Sequence, residues 1–551
     1  MHNKVLRFFF QRWMFFSGLV MLLILLARNP FSSRTLIPNL EPFPDTFHYI
    51  VPAQSVIKGY GLVIERGGRT FKQSVPPMYS LVLIPVFLIS SDPRMFYITN
   101  VVLVVLGYTL FYIISKKVFP HTIVRVVILF MYVTNFYISW YPQWAMAENL
   151  MLPVVLYGIL LLLQPATKKH ALIAGAIPIV LYGIKFANAP LVVVFFALYL
   201  IKFFKKFFMP FVASAVCFTA LYVLGDYILS GRNLVLTAWS ITFDLVKQLP
   251  IFAPSGAQNG ALVQAVSPSP WFSFSYLPEN FAMQWRGLHG YGAKFLWEQT
   301  PILSHAVAVF GWVGLGWSLL YAKRRWFSVA LVLVILAETL FMSTFYSTDM
   351  RYLMFAIPFL LIGFGWAVEY SAKTLGKIFH GFSETWILNC FVIIIAVLYL
   401  FSNALRLKSQ IMVNLKYAET PWWYLAVVDM NTYFSKVETR DGKKPIVISA
   451  MPPYFIDFYS TKTYTLLPLS PQQEFRSYLV EAWGPNDYSD MMKLYATYLK
   501  NGYDIYLEEY GLGNEGYLHE AFQNVLKNFT VIKVQSGCYN VCNIYHVTTK
   551  N

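Results

Sequence analysis

The chain has 551 residues, 57% of them hydrophobic and 18% aromatic, with only 13% charged. A soluble domain carries roughly a quarter charged residues, so lipid is the main solvent of this chain, and several runs reach the about 20 apolar residues needed to cross a bilayer. The formal net charge of +16 falls in short basic clusters between apolar runs, as in loops obeying the positive-inside rule, and this argues against nucleic acid as a partner.

The first apolar run, residues 13–27, follows Lys4, Arg7 and Arg12. It leads into "ARNPFSSRTLIP", which has no small-residue cleavage site, so it reads as a retained signal-anchor helix. Next comes "EPFPDTFHYI" (41–50), which places Asp45 between a proline and an aromatic cluster. A helical-looking stretch follows, so Asp45 is either a helix cap or a functional acid. "PPMYSLVLIPVFLIS" (76–90) offers only about 13 apolar residues and reads as a re-entrant or interfacial helix.

Apolar runs then follow at 96–115, 122–140, 150–164, 171–187, 189–201, 210–229, 303–320, 327–346, 352–368 and 387–403. Basic clusters separate them at Lys116-Lys117, Lys168-Lys169, Lys202/Lys205/Lys206, Lys323-Arg324-Arg325 and Lys373/Lys377. Placing every cluster in the cytoplasm requires an even number of crossings between neighbours, which gives about eleven crossings and a C-terminus outside. The expected architecture is therefore a polytopic α-helical membrane domain (1–405) followed by a small extracytoplasmic α/β domain (406–551). The latter alternates strand-like "KPIVISA", "TYTLLPL", "YDIYLEEY" and "FTVIKVQ" with helix-like "EFRSYLVEAW" and "HEAFQNVLKNF". Cys217 and Cys390 lie in apolar runs and read as packing residues. Cys538 and Cys542 lack further metal ligands nearby, which leaves a hairpin disulfide or two thiols.

In such a chain the informative residues are ionisable groups near membrane depth. Asp45, Glu148 in "YPQWAMAENLMLP", Lys185 at the end of an apolar run, and Asp349 and Arg351 in "STDMRYLMFAIP" all face one side in this topology. Each has a structural reading: Glu148 as an acid favoured by a helix N-terminus, Lys185 as a snorkelling anchor, Arg351 as a partner for Asp349 or Asp45. Together they form a candidate site for an anionic group beside a carboxylate base. No phosphate-binding loop, dinucleotide fingerprint, nucleophile elbow or zinc motif accompanies them.

The order "PDTFHYIVPAQSVIKGYGL", "SVPPMYSLVLIPVFLI", "MAENLMLPVVLYGILLLL", "DMRYLMFAIPFLLIGFG" resembles the GT-C fold glycosyltransferases that use polyprenyl-phosphate sugars. It is similar to the bacterial branch of protein O-mannosyltransferases and lipid A aminoarabinose transferases. The resemblance covers about residues 10–370, and the C-terminal part resembles the variable extracytoplasmic domains of some members. It implies that Asp45 is the catalytic base, acting without the second acid many members have, since Thr46 follows it. It further implies that Glu148 shapes the site or binds acceptor, and that Lys185 and Arg351 hold the donor phosphate.

The implied reaction is a direct, inverting displacement at the anomeric carbon, with phosphate leaving against cations and a carboxylate taking the acceptor proton. The embedded helix at 76–90 and the long 230–302 loop, rich in aromatics (Trp271, Phe272, Tyr276, Trp285, Tyr291), are expected to wall off the site, although aromatics at a membrane interface are more often simple anchors. The expected partners are a polyprenyl-phosphate-linked sugar, a glycan, lipid or protein acceptor, and membrane lipids, at the plasma membrane. No cofactor is expected and no metal, because neither loop supplies paired acids. A lipid-linked sugar flippase or a polysaccharide polymerase or ligase is the alternative. A transporter would favour inverted repeats and mid-membrane charges, and a polymerase a charged long loop.

Overall fold

The computed structural model describes residues 12–27, 45–66, 69–73, 75–230, 273–296, 301–345, 348, 350–378, 383–415, 422–439, 441–449, 461–469, 485, 487–508, 517–536 and 543–550. The side chain of Asp45, Asp349, the segments 231–272 and 471–484, and Cys538 and Cys542 lie outside this set.

Helices dominate. They are α1 (Trp13–Leu25), α2 (Asp45–Ile57), α3 (Met78–Ile89), α4 (Phe96–Val118), α5 (Thr122–Val133), α6 (Glu148–Leu163), α7 (Lys168–Ile184) and α8 (Ala189–Ser230). After these come α9 (Leu277–Leu296), α10 (Pro301–Leu320), α11 (Ala322–Met342), α12 (Ile357–Ile378) and α13 (Glu384–Leu415). Among the described residues five helices are long and apolar enough to cross a membrane, and a sixth span arises if the pair Thr122–Val133 and Phe136–Gln143, bent by 60°, counts as one. Four shorter apolar helices accompany them: Trp13–Leu25, Met78–Ile89, Glu148–Leu163 and Ala306–Leu320. The protein is a polytopic membrane protein.

Two breaks shape the bundle. In α8 the backbone leaves helical geometry at Phe207 (φ −133°, ψ 30°), with Pro210 just beyond. Phe211 of the second half meets Phe196 of the first at 5.1 Å between ring centroids, so the halves fold back on each other. Lys202, just before the break, donates to the carbonyls of Leu162 (2.9 Å) and Gln164 (2.5 Å), closing the C-terminal end of α6. The second break follows α5, where the Asn135 side chain accepts from the N–H groups of Tyr137 (2.9 Å) and Ile138 (3.3 Å) and starts a new turn. Arg406 on α13 donates to the carbonyl of Thr134 at that break. It thereby ties a helix that runs without interruption past residue 405 to the bend.

Glycines set the closest helix approach. A Cβ on Gly314 of α10 would collide with the Gly363 carbonyl of α12 and come within 2.7 Å of the Ala367 nitrogen. Small residues at such a crossing let backbones touch where lipid gives no hydrophobic drive.

The stretch 277–296, expected within a loop, is helix α9. Its Trp285 packs on Trp312 at 5.4 Å, so this indole is held by the bundle. Trp271 and Phe272, and the side chain of Tyr291, lie outside the described residues. A hairpin not among the elements expected from the sequence, β1 (Val63–Arg66) with β2 (Arg69–Lys72), pairs antiparallel with Val63 opposite Lys72.

The C-terminal part is a five-stranded sheet: β3 (Ile446–Ser449), β4 (Thr465–Pro468), β5 (Ile505–Glu508), β6 (Phe529–Gln535) and β7 (Ile544–Thr549), in spatial order β4-β3-β5-β7-β6. The first three are parallel, β7 runs antiparallel to β5, and β6 pairs antiparallel with β7 and so points the same way as the first three. Helices α14 (Trp422–Phe434), α15 (Tyr488–Lys500) and α16 (Tyr517–Asn528) accompany it. The four expected strands and "HEAFQNVLKNF" as helix are present. β7 is an addition, and "EFRSYLVEAW" lies outside the described residues.

Candidate functional site

Glu148 is the first residue of α6, where four unsatisfied backbone N–H groups favour a negative charge. The segment before it is fixed by amides. Asn100 on α4 donates to the carbonyls of Pro142 and Trp144, each at 2.8 Å. Asn149 donates to those of Trp144 (2.9 Å) and Met146 (3.1 Å). Asn100 itself accepts from the Tyr79 hydroxyl of α3 at 2.6 Å. These bonds satisfy polar groups that lipid cannot, and they aim the α6 N-terminus.

The Glu148 side chain is 3% exposed, yet it has two cationic neighbours. Lys185 ends α7 in extended backbone (φ −157°, ψ 128°). Its ammonium donates to Glu148 Oε1 at 2.7 Å and stands 3.7 Å from the centroid of the Tyr352 ring. Arg351, in the 3-10 turn Met350–Ala356, donates to the Tyr352 hydroxyl at 3.1 Å and places its Nε 4.0 Å from Glu148 Oε1. The structure therefore brings together Glu148, Lys185 and Arg351, three of the four site residues expected from the sequence. The fourth, Asp45, begins α2, with its side chain outside the description.

Two further residues belong here. Tyr352 is the common surface on which both cations rest, a cation–π arrangement. Glu338 on α11 is 1% exposed and within electrostatic reach of Lys185 and Glu148. Its Oε2 has no hydrogen-bond partner among the described residues. It is the lone acid in an apolar run, a signal in the sequence that went unused.

Of Glu148, Lys185 and Arg351, Lys185 is the most exposed, at 21% of its side chain, and so marks the open end of the cluster among the described residues. Two cations beside the single carboxylate of Glu148 leave an excess of positive charge, chemistry that suits an anion with several oxygens. Among the described residues no group of three or more His, Cys, Asp or Glu is arranged to hold a metal ion.

No protein-family model and no curated protein sequence matches the chain. Solved structures do. ArnT from Cupriavidus metallidurans, bound to undecaprenyl phosphate, superposes with a TM-score of 0.55 at 13% identity, over 98% of each chain. The same protein in the apo state gives 0.54 at 13%, over 98% of this chain and 97% of that one. The archaeal oligosaccharyltransferase AglB from Archaeoglobus fulgidus, in complex with an inhibitory peptide and a dolichol-phosphate, gives 0.52 at 12%, over 98% of this chain and 75% of the other. At these identities the likeness is one of fold, and it spans membrane and C-terminal parts together: the chain has the GT-C fold.

Proposed function

We propose that the protein is a membrane glycosyltransferase that moves a sugar from a polyprenyl-phosphate donor to an acceptor hydroxyl on the extracytoplasmic side. The observation that carries this reading is the cluster of Lys185 and Arg351 over Tyr352 around the buried carboxylate of Glu148. ArnT and AglB, which share the fold, were solved with undecaprenyl phosphate and dolichol-phosphate. A lipid phosphate is the ligand that such a cluster suits.

In this reaction the donor phosphate lies against Lys185 and Arg351. The acceptor oxygen bonds to the anomeric carbon from the face opposite the phosphate, whose C–O bond breaks with its electron pair staying on the phosphate oxygen. The acceptor proton passes to the Asp45 carboxylate, and the anomeric centre inverts. Fixed cations stabilise the charge that develops on the leaving group, and general-base assistance contributes typically 10²–10⁴-fold, an order-of-magnitude range. The helix register supports a meeting of base and cations. Position 45 precedes Tyr49 by one turn of α2; Tyr49 abuts Tyr79 at 5.1 Å between centroids, and the Tyr79 hydroxyl neighbours Asn149 and Glu148.

The test is release of polyprenyl phosphate from a polyprenyl-phosphate sugar by the purified protein. Asp45→Asn keeps size and removes the proton acceptor, so turnover is expected to fall by roughly 100-fold or more. Near-normal turnover in that variant would reduce Asp45 to a helix cap, and movement of the intact donor across a bilayer without cleavage would favour a flippase.

A further inference from the structure

Helix α2 lies between two hydrophobic cores. Tyr49, Ile50 and Ala53 belong to the core of the membrane helices. Phe47, with Val51 packed beside it, belongs to a second core that Ile64 of the β1 hairpin shares with Val427, Met430 and Phe434 of α14 and with Val447 and Tyr506 of the C-terminal sheet. Helical spacing separates the two sets: 47 and 51 are one turn apart on one face, while 49, 50 and 53 lie on the other. Position 45 is the first residue of the helix, one turn before Tyr49.

The helix needs both supports. It has 13 residues with Pro52 inside, and a helix of that length is marginal alone even in good helix formers. Pro52 has no N–H for the carbonyl of His48, and the Gln73 side chain donates to that carbonyl instead, at 3.0 Å. Phe47 is 1% exposed and sits two residues after Asp45.

We propose that the C-terminal sheet holds the catalytic geometry of the membrane domain, with Phe47 as the positioning residue through which it fixes α2 and hence Asp45. The inference rests on the reading of Asp45 as base. The phosphate cluster is built on α6, the end of α7 and the turn 350–356, none of which contributes a residue to the second core. A disturbance at Phe47 therefore moves the base and spares the donor grip.

The experiment is kinetics of the full-length protein with a polyprenyl-phosphate sugar. In Phe47→Ala, kcat falls about 100-fold, the scale of a misplacement of about 1 Å, while the donor KM stays within about twofold. Phe47→Leu recovers most of the loss. Combined with Asp45→Asn, Phe47→Ala adds no further loss, because it acts through Asp45. An unchanged kcat in Phe47→Ala, or a donor KM that rises in step with the fall in kcat, overturns the inference. Should Phe47→Ala not fold, Val427→Ala and Val447→Ala pose the same question with smaller cavities beneath Phe47, and wild-type kcat in both overturns it. The two readings fail separately: a fully active Asp45→Asn removes the base itself, whereas an inactive Asp45→Asn beside a fully active Phe47→Ala removes only the role of the sheet.

Discussion

Replacing Lys185 with methionine tests the phosphate site through its charge balance. The folded cluster sets two cations against Glu148, with Lys185 Nζ at 2.7 Å and Arg351 Nε at 4.0 Å from the same carboxylate oxygen. Lys185→Met leaves Glu148 facing Arg351 alone, so the net positive charge that the proposed function assigns to attracting the donor disappears. Unit charges about 4 Å apart at an effective dielectric near 20 attract by about 4 kcal/mol. Desolvation and the partial exposure of Lys185 bring the net effect to about half of that, which is roughly 30-fold in affinity. Adding Glu148→Gln releases Arg351 for the phosphate, so the double variant is expected to recover about 10-fold of the loss. The assay is binding of polyprenyl phosphate to each purified variant in detergent, with thermal unfolding run alongside to separate binding from stability. A double variant that binds no better than Lys185→Met would refute the reasoning, since Glu148 would then not be competing with phosphate for the cations.

Three further outcomes are expected. Glu338→Leu should leave the fold intact or stabilise it by about 1 kcal/mol, as apolar replacement of a buried polar group often does, while lowering turnover about 10-fold; unchanged kcat beside a normal unfolding temperature would make Glu338 a packing residue. Transfer should survive EDTA, because the second loop offers Glu148 beside an asparagine and hard cations usually need one or two carboxylates besides phosphate oxygens; activity lost to chelation and restored by magnesium or manganese would point to a pyrophosphate donor. A cysteine placed at the exposed Lys377 should resist an impermeant thiol reagent in intact cells, while a tag after Asn551 should be reachable from outside; labelling at 377 would invert the topology.

Much of this site was legible because charge is rare in the chain. Glu148, Lys185 and Arg351 stand out at the edges of apolar runs, and desolvation leaves such groups few places to go except to one another. Tyr352 gives no such signal, being one of 37 tyrosines. Glu338 did give it, but inside a run read as a plain span. The fold divides in the same way. Basic clusters mark the turn in α8 correctly, yet helical bonding continues through Lys202–Lys206 to Phe207, because lysines are good helix formers. The break at Thr134 has neither proline nor glycine; it depends on the Asn135 cap and on Arg406, which lies far along the chain. The hairpin flanking "GG" at 67–68 was readable as a turn between alternating residues. The seat of Phe47 was not, since its partners at 427–434, 447 and 506 are specified only by the tertiary fold.

The position of Glu148 joins the folding problem to the chemistry. Two cations near a lipid surface repel each other and are costly to desolvate, so a donor-free site that held only Lys185 and Arg351 would open to water or lose its shape. Glu148 supplies the missing anion from a helix N-terminus that already favours negative charge, and Tyr352 supplies a surface on which both cations rest. A carboxylate offers two oxygens, one of which Lys185 and Arg351 share. A phosphate offers more oxygens and, after the glycosyl bond breaks, more charge. On the proposed function, the arrangement would keep the cations preorganised when the site is empty and let the leaving group compete for them when charge develops, which is when their stabilisation accelerates the reaction. On this argument Glu148→Gln alone binds the released polyprenyl phosphate more tightly than the wild type. Its multiple-turnover rate then falls below its single-turnover rate, because product release becomes the slow step. Equal rates in the two regimes would leave Glu148 as a scaffold for α6 and no more.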